Sequence, residues 1–65
     1  MRVNLQDHGT LVAFNFDEEG KTWADENLQT EPWQWLGPHM LMVGHREAES
    51  LAHFIQSEGV EVRVT

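Results

Sequence analysis

Cysteine is absent from this chain, and its absence removes two means by which very small domains are stabilised. Without it there are no disulfides and no thiolate metal sites. At 65 residues the chain lies near the lower limit for independent folding, where about 60% of the unfolded surface is buried. We expect one domain, residues 1–65, stabilised by close packing, by a partner, or by a metal site built from histidines and carboxylates.

Basic residues are scarce, and this argues against several kinds of partner. Four lysines and arginines stand against eleven aspartates and glutamates, so the formal net charge is −7. Nucleic-acid binding draws much of its affinity from neutralised phosphates, so we expect no direct binding of nucleic acid and none of anionic membranes. A basic protein partner is compatible with this charge. The plainer interpretation is that the charge maintains solubility.

Long apolar runs are also missing. No stretch approaches the roughly 18 apolar residues of a membrane-spanning helix. The opening MRVNLQDHG contains no apolar run of signal-peptide length. These features predict a cytoplasmic protein.

The first half of the chain predicts strand and then helix. Arg2–Leu5 is either a short strand or a loose arm, QDHG is a turn, and residues 10–16 (TLVAFNF) are a buried strand. Asp17 is a good N-cap for a helix that runs to about Leu28. Gly20 weakens this helix relative to alanine, which indicates a close backbone approach at that position.

The second half predicts a hairpin, a helix and a strand. Residues 33–36 and 40–43 form the hairpin strands around Gly37-Pro38-His39, with Trp33 and Trp35 on one side. The segment 45–59 is the clearest helix. The final VEVRVT alternates strictly, with its valines facing inward. The element order predicts an α+β domain of the ferredoxin-like β-α-β-β-α-β kind, with two helices on one face of an antiparallel sheet.

The segment EPWQWLGPHMLMVG is the candidate functional surface. Its strands carry apolar residues on both sides, whereas a half-solvated sheet normally alternates apolar and polar. Tryptophan and methionine are enriched at protein interfaces. We therefore expect Trp33, Trp35, Met40 and Met42 to bind a partner, either a second copy in a homodimer or a host protein. The alternative is that the tryptophans are core residues, since aromatics dominate small cores.

Chemical motifs are weak. His45, Glu49 and His53 lie four residues apart along one helical stripe, but the eight-residue span is about 12 Å, too long for one ion. A pair of them would need help from His8 or His39. No nucleophile elbow, phosphate loop or calcium loop is present. We expect neither catalysis nor a cofactor.

The sequence resembles a group of small bacterial and phage proteins with the pattern D-x-G-[ST]-[LI]-V … W … W-x-G … [DE]-G. The matching residues are Asp7, Gly9, Thr10, Leu11, Val12, Trp23, Trp35, Gly37, Gly59 and Val60. The pattern consists of turns and core positions, so the resemblance implies a compact fold and a bacterial or phage setting, and no activity. Phe16 and Pro38 depart from it.

These observations predict a non-enzymatic, acidic accessory or regulatory factor that binds protein through an apolar sheet surface. One alternative is a metal-binding or pH-responsive module that uses the histidine stripe. Another is an acidic mimic of nucleic acid that inhibits a host DNA-binding protein. Its acids would include Asp17, Glu18, Glu19, Asp25 and Glu26.

Overall fold

The structure is a computed structural model that describes residues 1–64. In chain order its elements are β1 (Arg2–His8), β2 (Leu11–Phe16), α1 (Glu18–Asn27), a 3-10 turn (Pro32–Gln34), β3 (Trp35–Leu36), β4 (Met40–Gly44), α2 (His45–Ser57) and β5 (Glu61–Val64). The predicted small α+β domain is confirmed.

The first two strands form a hairpin whose turn contains Gly9. Gly9 has φ 69°, a left-handed conformation that glycine adopts without steric cost. The antiparallel register runs from Val3 opposite Phe16 to His8 opposite Leu11. The N-terminal strand is therefore real, and it extends to His8 through residues expected to form a turn.

The sheet has the order β3-β4-β2-β1-β5, and it is mixed. β1 and β5 pair in parallel, whereas the other neighbours are antiparallel. The prediction of an antiparallel sheet is wrong, and the ferredoxin-like order is not confirmed. The reason is β1, which lies between β2 and β5 and runs in the same direction as β5.

Both helices pack on one side of the sheet, the helix face. Its buried sheet residues have the same strand parity: Val3, Phe14, Phe16, Leu41 and Val43. Ala24 of α1 and both Ala48 and Ile55 of α2 belong to the same buried cluster. The other side, the open face, carries the alternate residues of each strand.

The start of α1 follows the predicted local chemistry. The Asp17 carboxylate accepts a hydrogen bond from the Gly20 N–H at 2.7 Å. This backbone hydrogen bond lowers the pKa of Asp17 from its ordinary value. A Cβ on Gly20 would lie 3.1 Å from the Arg2 carbonyl oxygen, so the close backbone approach is also confirmed.

The predicted strand of residues 33–36 is wrong at its first half. Pro32–Gln34 form a 3-10 turn, in which Gln34 N–H donates to the Glu31 carbonyl at 3.0 Å. The Gln34 side chain in turn accepts from Glu31 N–H at 2.8 Å. Pro32 suits the first position of a helical turn, because its missing N–H needs no partner there. β3 is consequently two residues long.

The last helix and strand agree with the prediction except for the burial of one residue, Val64. Gly59, at φ 90°, ends α2 as expected, and Val60 is buried. Val62 is half-buried, but Val64 is 82% exposed, so its predicted inward burial is wrong. Val64 lies opposite Leu5 and borders a hollow beside α2, where packing is incomplete.

Candidate partner-binding edge

Trp35 belongs to the helix face. It lies opposite buried Leu41, and its ring centroid is 5.9 Å from that of Phe16. Its indole N–H donates to the Thr30 hydroxyl at 2.8 Å, and Lys21 Nζ lies 4.5 Å from the ring centroid. This half-buried ring is contacted by Phe16, Lys21 and Thr30, so its main role is to anchor β3.

Trp33 lies outside the core. The 3-10 turn places its side chain at the outer edge of the sheet, with 80% of its surface exposed. Trp33 and Trp35 therefore do not share one side of a strand, as the sequence pattern predicted. The turn rotates Trp33 away from the alternation that β3 begins.

Met40 and Met42 lie on the open face, on the side of the sheet opposite Trp35. Leu36 pairs with Met40 and is 63% exposed, and Met42 pairs with fully buried Ala13. The two methionines are half-buried. Trp33, Leu36, Met40 and Met42 together are called the apolar edge below.

The β1–β5 part of the open face is polar. On β1 and β5 the corresponding positions are occupied by Asn4, Gln6, Glu61 and Arg63. Arg63 Nε hydrogen-bonds to Glu61 Oε2, and Arg2 Nε lies 3.7 Å from the same oxygen. The hydrogen bond from Arg63, more than any other effect, lowers the pKa of Glu61 from its ordinary value. Apolar character is thus concentrated on the β3–β4 side.

A groove of about 750 Å³ runs beside residues 42–44 of β4, the part of that strand that extends beyond its pairing with β3. It lies between the apolar edge and the two helices. Its apolar walls include Leu11, Leu28, Trp33, Met42 and Leu51. Glu47 of α2 also borders it, and Glu47 Oε2 would lie 2.8 Å from a Cβ on Gly44. The groove is thus mostly apolar, with Gln29, Thr30 and Gln34 as polar residues of its lining and the Glu47 carboxylate beside Gly44.

The histidine and carboxylate candidates are dispersed. His45 Nε2 lies 2.9 Å from Asp7 Oδ1 and 2.7 Å from the Gly9 carbonyl oxygen, so it joins α2 to the first hairpin. Glu49 and His53 are exposed on α2. Within residues 1–64 no three histidine, aspartate or glutamate side chains are arranged to hold a metal ion.

The acids of the proposed nucleic-acid mimic are all exposed along α1 and its N-cap. One of them is neutralised by a neighbour, because Lys21 Nζ lies 2.7 Å from Asp25 Oδ1. Glu18 and Glu19 occupy the first turn, where the helix dipole favours carboxylates. Local helix chemistry therefore accounts for much of this acidic group.

Sequence reasoning missed part of the groove. In the sequence Leu28 and Leu51 belong to the two predicted helices, and Leu36 belongs to a predicted hairpin strand. No sequence signal placed these leucines beside one another, because the helices that carry them are separated by the hairpin. The apolar residues of both parities in residues 33–43 were the one available indication.

Comparison with known families, curated proteins and solved structures gave no match. None of the helices described in residues 1–64 has the length and apolar character needed to span a membrane. Functional inference therefore rests on the geometry of this chain.

Proposed function

We propose that the protein is a non-enzymatic accessory or regulatory factor that binds another protein chain through the apolar edge. The observation that carries this proposal is the exposure of two large apolar side chains on the β3 side of the sheet, Trp33 and Leu36, of which Trp33 also lines a mostly apolar groove. Exposed apolar patches with polar surroundings are typical of interaction sites. A bacterial or phage setting, implied by the sequence resemblance, fits such a small factor.

The predicted binding set changes in two respects. Trp33, Met40 and Met42 remain in it, Leu36 joins it, and Trp35 supports it from the helix face. The net charge of −7 favours a basic partner, because opposite potentials speed encounter and orient docking. The partner is either a second copy of this chain or another protein.

Affinity capture with matched variants tests the proposal. The wild-type chain, Trp33→Ala, Leu36→Ser and the control Val64→Ser are immobilised, and proteins retained from a bacterial extract are quantified by mass spectrometry. Val64 is a suitable control because it is as exposed as Trp33 but lies on β5. We expect a set of proteins that the wild type and Val64→Ser retain and the other two variants lose.

Sedimentation velocity on the same four proteins detects binding to a second copy. A dimer that Leu36→Ser dissociates and Val64→Ser preserves also supports the proposal. Equal retention by all four proteins, or a wild type that neither associates nor retains any protein, would contradict it.

A further inference from the structure

We infer that the groove beside β4 binds an extended peptide segment of a partner protein, which adds to the sheet as a strand and carries a basic residue. This inference rests on the proposed function and specifies the partner segment and its mode of binding. Strand addition uses main-chain hydrogen bonds for affinity and side-chain pockets for specificity. The β4 edge offers both.

The backbone of β4 faces the groove at its last residues. Phe16 N–H donates to the His39 carbonyl at 3.0 Å, which fixes the phase of the antiparallel β2–β4 ladder. Hydrogen-bonding direction alternates along a strand, so Val43 faces β2, while the Met42 carbonyl and the Gly44 N–H point away from β2. β3 pairs with Leu41 and Met40, and it ends before this segment.

A guest strand parallel to β4 matches this pattern. One guest residue opposite Val43 would donate its N–H to the Met42 carbonyl and accept from the Gly44 N–H. The neighbouring guest side chains would alternate between the two sides of the sheet. On one side they meet Leu28 and Leu51, and on the other they meet Met42 and Leu11.

The negative charge around the groove favours a positively charged guest peptide. Among the lining residues of the described chain, Glu47 is the charged one, and it is exposed beside Gly44. A lysine or arginine in the guest would form an ion pair there, in a groove whose other lining residues are apolar or uncharged. The chain's charge of −7 acts in the same direction over longer range.

A random linear dodecapeptide display library provides the probe. Peptides selected on the wild-type chain are synthesised, and their dissociation constants are measured by fluorescence anisotropy. We expect alternating apolar sequences with a basic residue. Trp33→Ala should weaken binding by about tenfold or more, as expected for an exposed tryptophan that lines the groove and is covered by the bound peptide. Glu47→Gln should weaken it several-fold at low salt and less at high salt, whereas Val64→Ser should have no effect.

Methylation of single backbone amides in the selected peptide tests directly whether the peptide binds β4 by main-chain hydrogen bonds. Methylation at the residue that pairs opposite Val43 should weaken binding by about fivefold or more, and methylation at the adjacent residue should be tolerated. Equal tolerance at all positions, selection of acidic or helical peptides, or no enrichment would overturn the inference. If the variants still govern protein capture or dimerisation in that case, the proposed function stands and strand addition is wrong.

Discussion

The two edges of the sheet are protected in opposite ways. The β5 edge carries Glu61 and Arg63 on the open face, where Glu61 pairs with both Arg63 and Arg2. Charged residues of this kind block pairing with another chain. The β3–β4 edge relies instead on a two-residue strand and the turn at Pro32, and beyond that strand it exposes β4 beside apolar side chains.

This difference indicates which edge is available for binding. The five-stranded sheet has two edges, and unprotected edges promote aggregation. Here the charged residues of β5 protect one edge. At the other edge, residues 42–44 of β4 extend beyond β3 and border the groove that Trp33 lines. We therefore propose that binding occurs at the β3–β4 edge and that the β5 edge has a structural role. The predictions below test this division.

The largest expected effect on stability comes from Ile55→Ala, on the helix that packs against β4 and β5. Ile55 is fully buried in α2, the helix that packs on β4 and β5. Its truncation removes buried methyl groups and leaves a cavity, so the free energy of unfolding should fall by about 3 to 4 kcal/mol. Urea denaturation measures this. Ile55→Val should lose about 1 kcal/mol, and an equal loss in both variants would show that Ile55 is not tightly packed.

Trp35→Ala should cost about 2 kcal/mol, less than a fully buried aromatic, because Trp35 is half-buried. It removes the ring contact with Phe16 and the hydrogen bond to Thr30, so β3 should detach and binding should weaken as well. Trp35→Phe keeps an aromatic ring beside Phe16 but loses the N–H that bonds Thr30, and it should lose less than Trp35→Ala. A Trp35→Ala protein with unchanged stability would mean that β3 is anchored elsewhere.

Asp17→Ala should destabilise the protein by about 1 kcal/mol at neutral pH, through loss of the N-cap of α1. The pKa of Asp17 is lowered in the folded state, so its contribution is present above the unfolded value of 3.8 and is lost as the pH falls through the folded pKa. Unfolding at pH 7 and at pH 2 to 4 measures this. Asp17→Asn retains a capping oxygen and should be closer to wild type. A difference between wild type and Asp17→Ala that persists at the lowest pH would contradict the capping role.

Glu61→Gln should have a smaller effect, confined to the β5 edge. The Arg63 hydrogen bond lowers the pKa of Glu61, so its stabilisation is present above 4.5 and is lost as the pH falls through the folded pKa. The variant should unfold slightly more easily than wild type at pH 7 and equally at strongly acidic pH. Partner binding at pH 7 should not change. If it weakens, the β5 edge also takes part in binding.

Trp33→Ala should change the free energy of unfolding by less than about 0.5 kcal/mol, since exposed substitutions rarely exceed this. Its expected effect is on binding alone. Equilibrium denaturation of the variant, beside that of Trp35→Ala, separates the two tryptophans. A large loss of stability would place Trp33 in the core.

Local signals were sufficient to predict α1, α2 and the glycine turns. Asp17 and Gly20 interact within one helical turn, and Gly59 acts on its own helix end, so neighbouring residues determine these features. The strict alternation of residues 60–64 likewise predicted β5. The α+β class followed from these elements.

The sheet order and the groove depended on contacts that a local pattern does not contain. The β1–β5 pairing joins Arg2 to Glu61, nearly the full length of the chain apart. The 3-10 turn at Pro32 was missed because Trp33, Trp35 and Leu36 resemble a strand in composition. That turn sends Trp33 away from Trp35, and it therefore decides the shape of the candidate site.

Site-specific photo-crosslinking compares the two edges most directly. Trp33 or Val64 is replaced by p-benzoylphenylalanine, and the two purified proteins are irradiated under identical conditions with a bacterial extract. We predict discrete cross-linked products, with a second copy or another protein, from position 33 and none above background from position 64. Products from position 64 alone, or the same products from both positions, would contradict the assignment of binding to the β3–β4 edge.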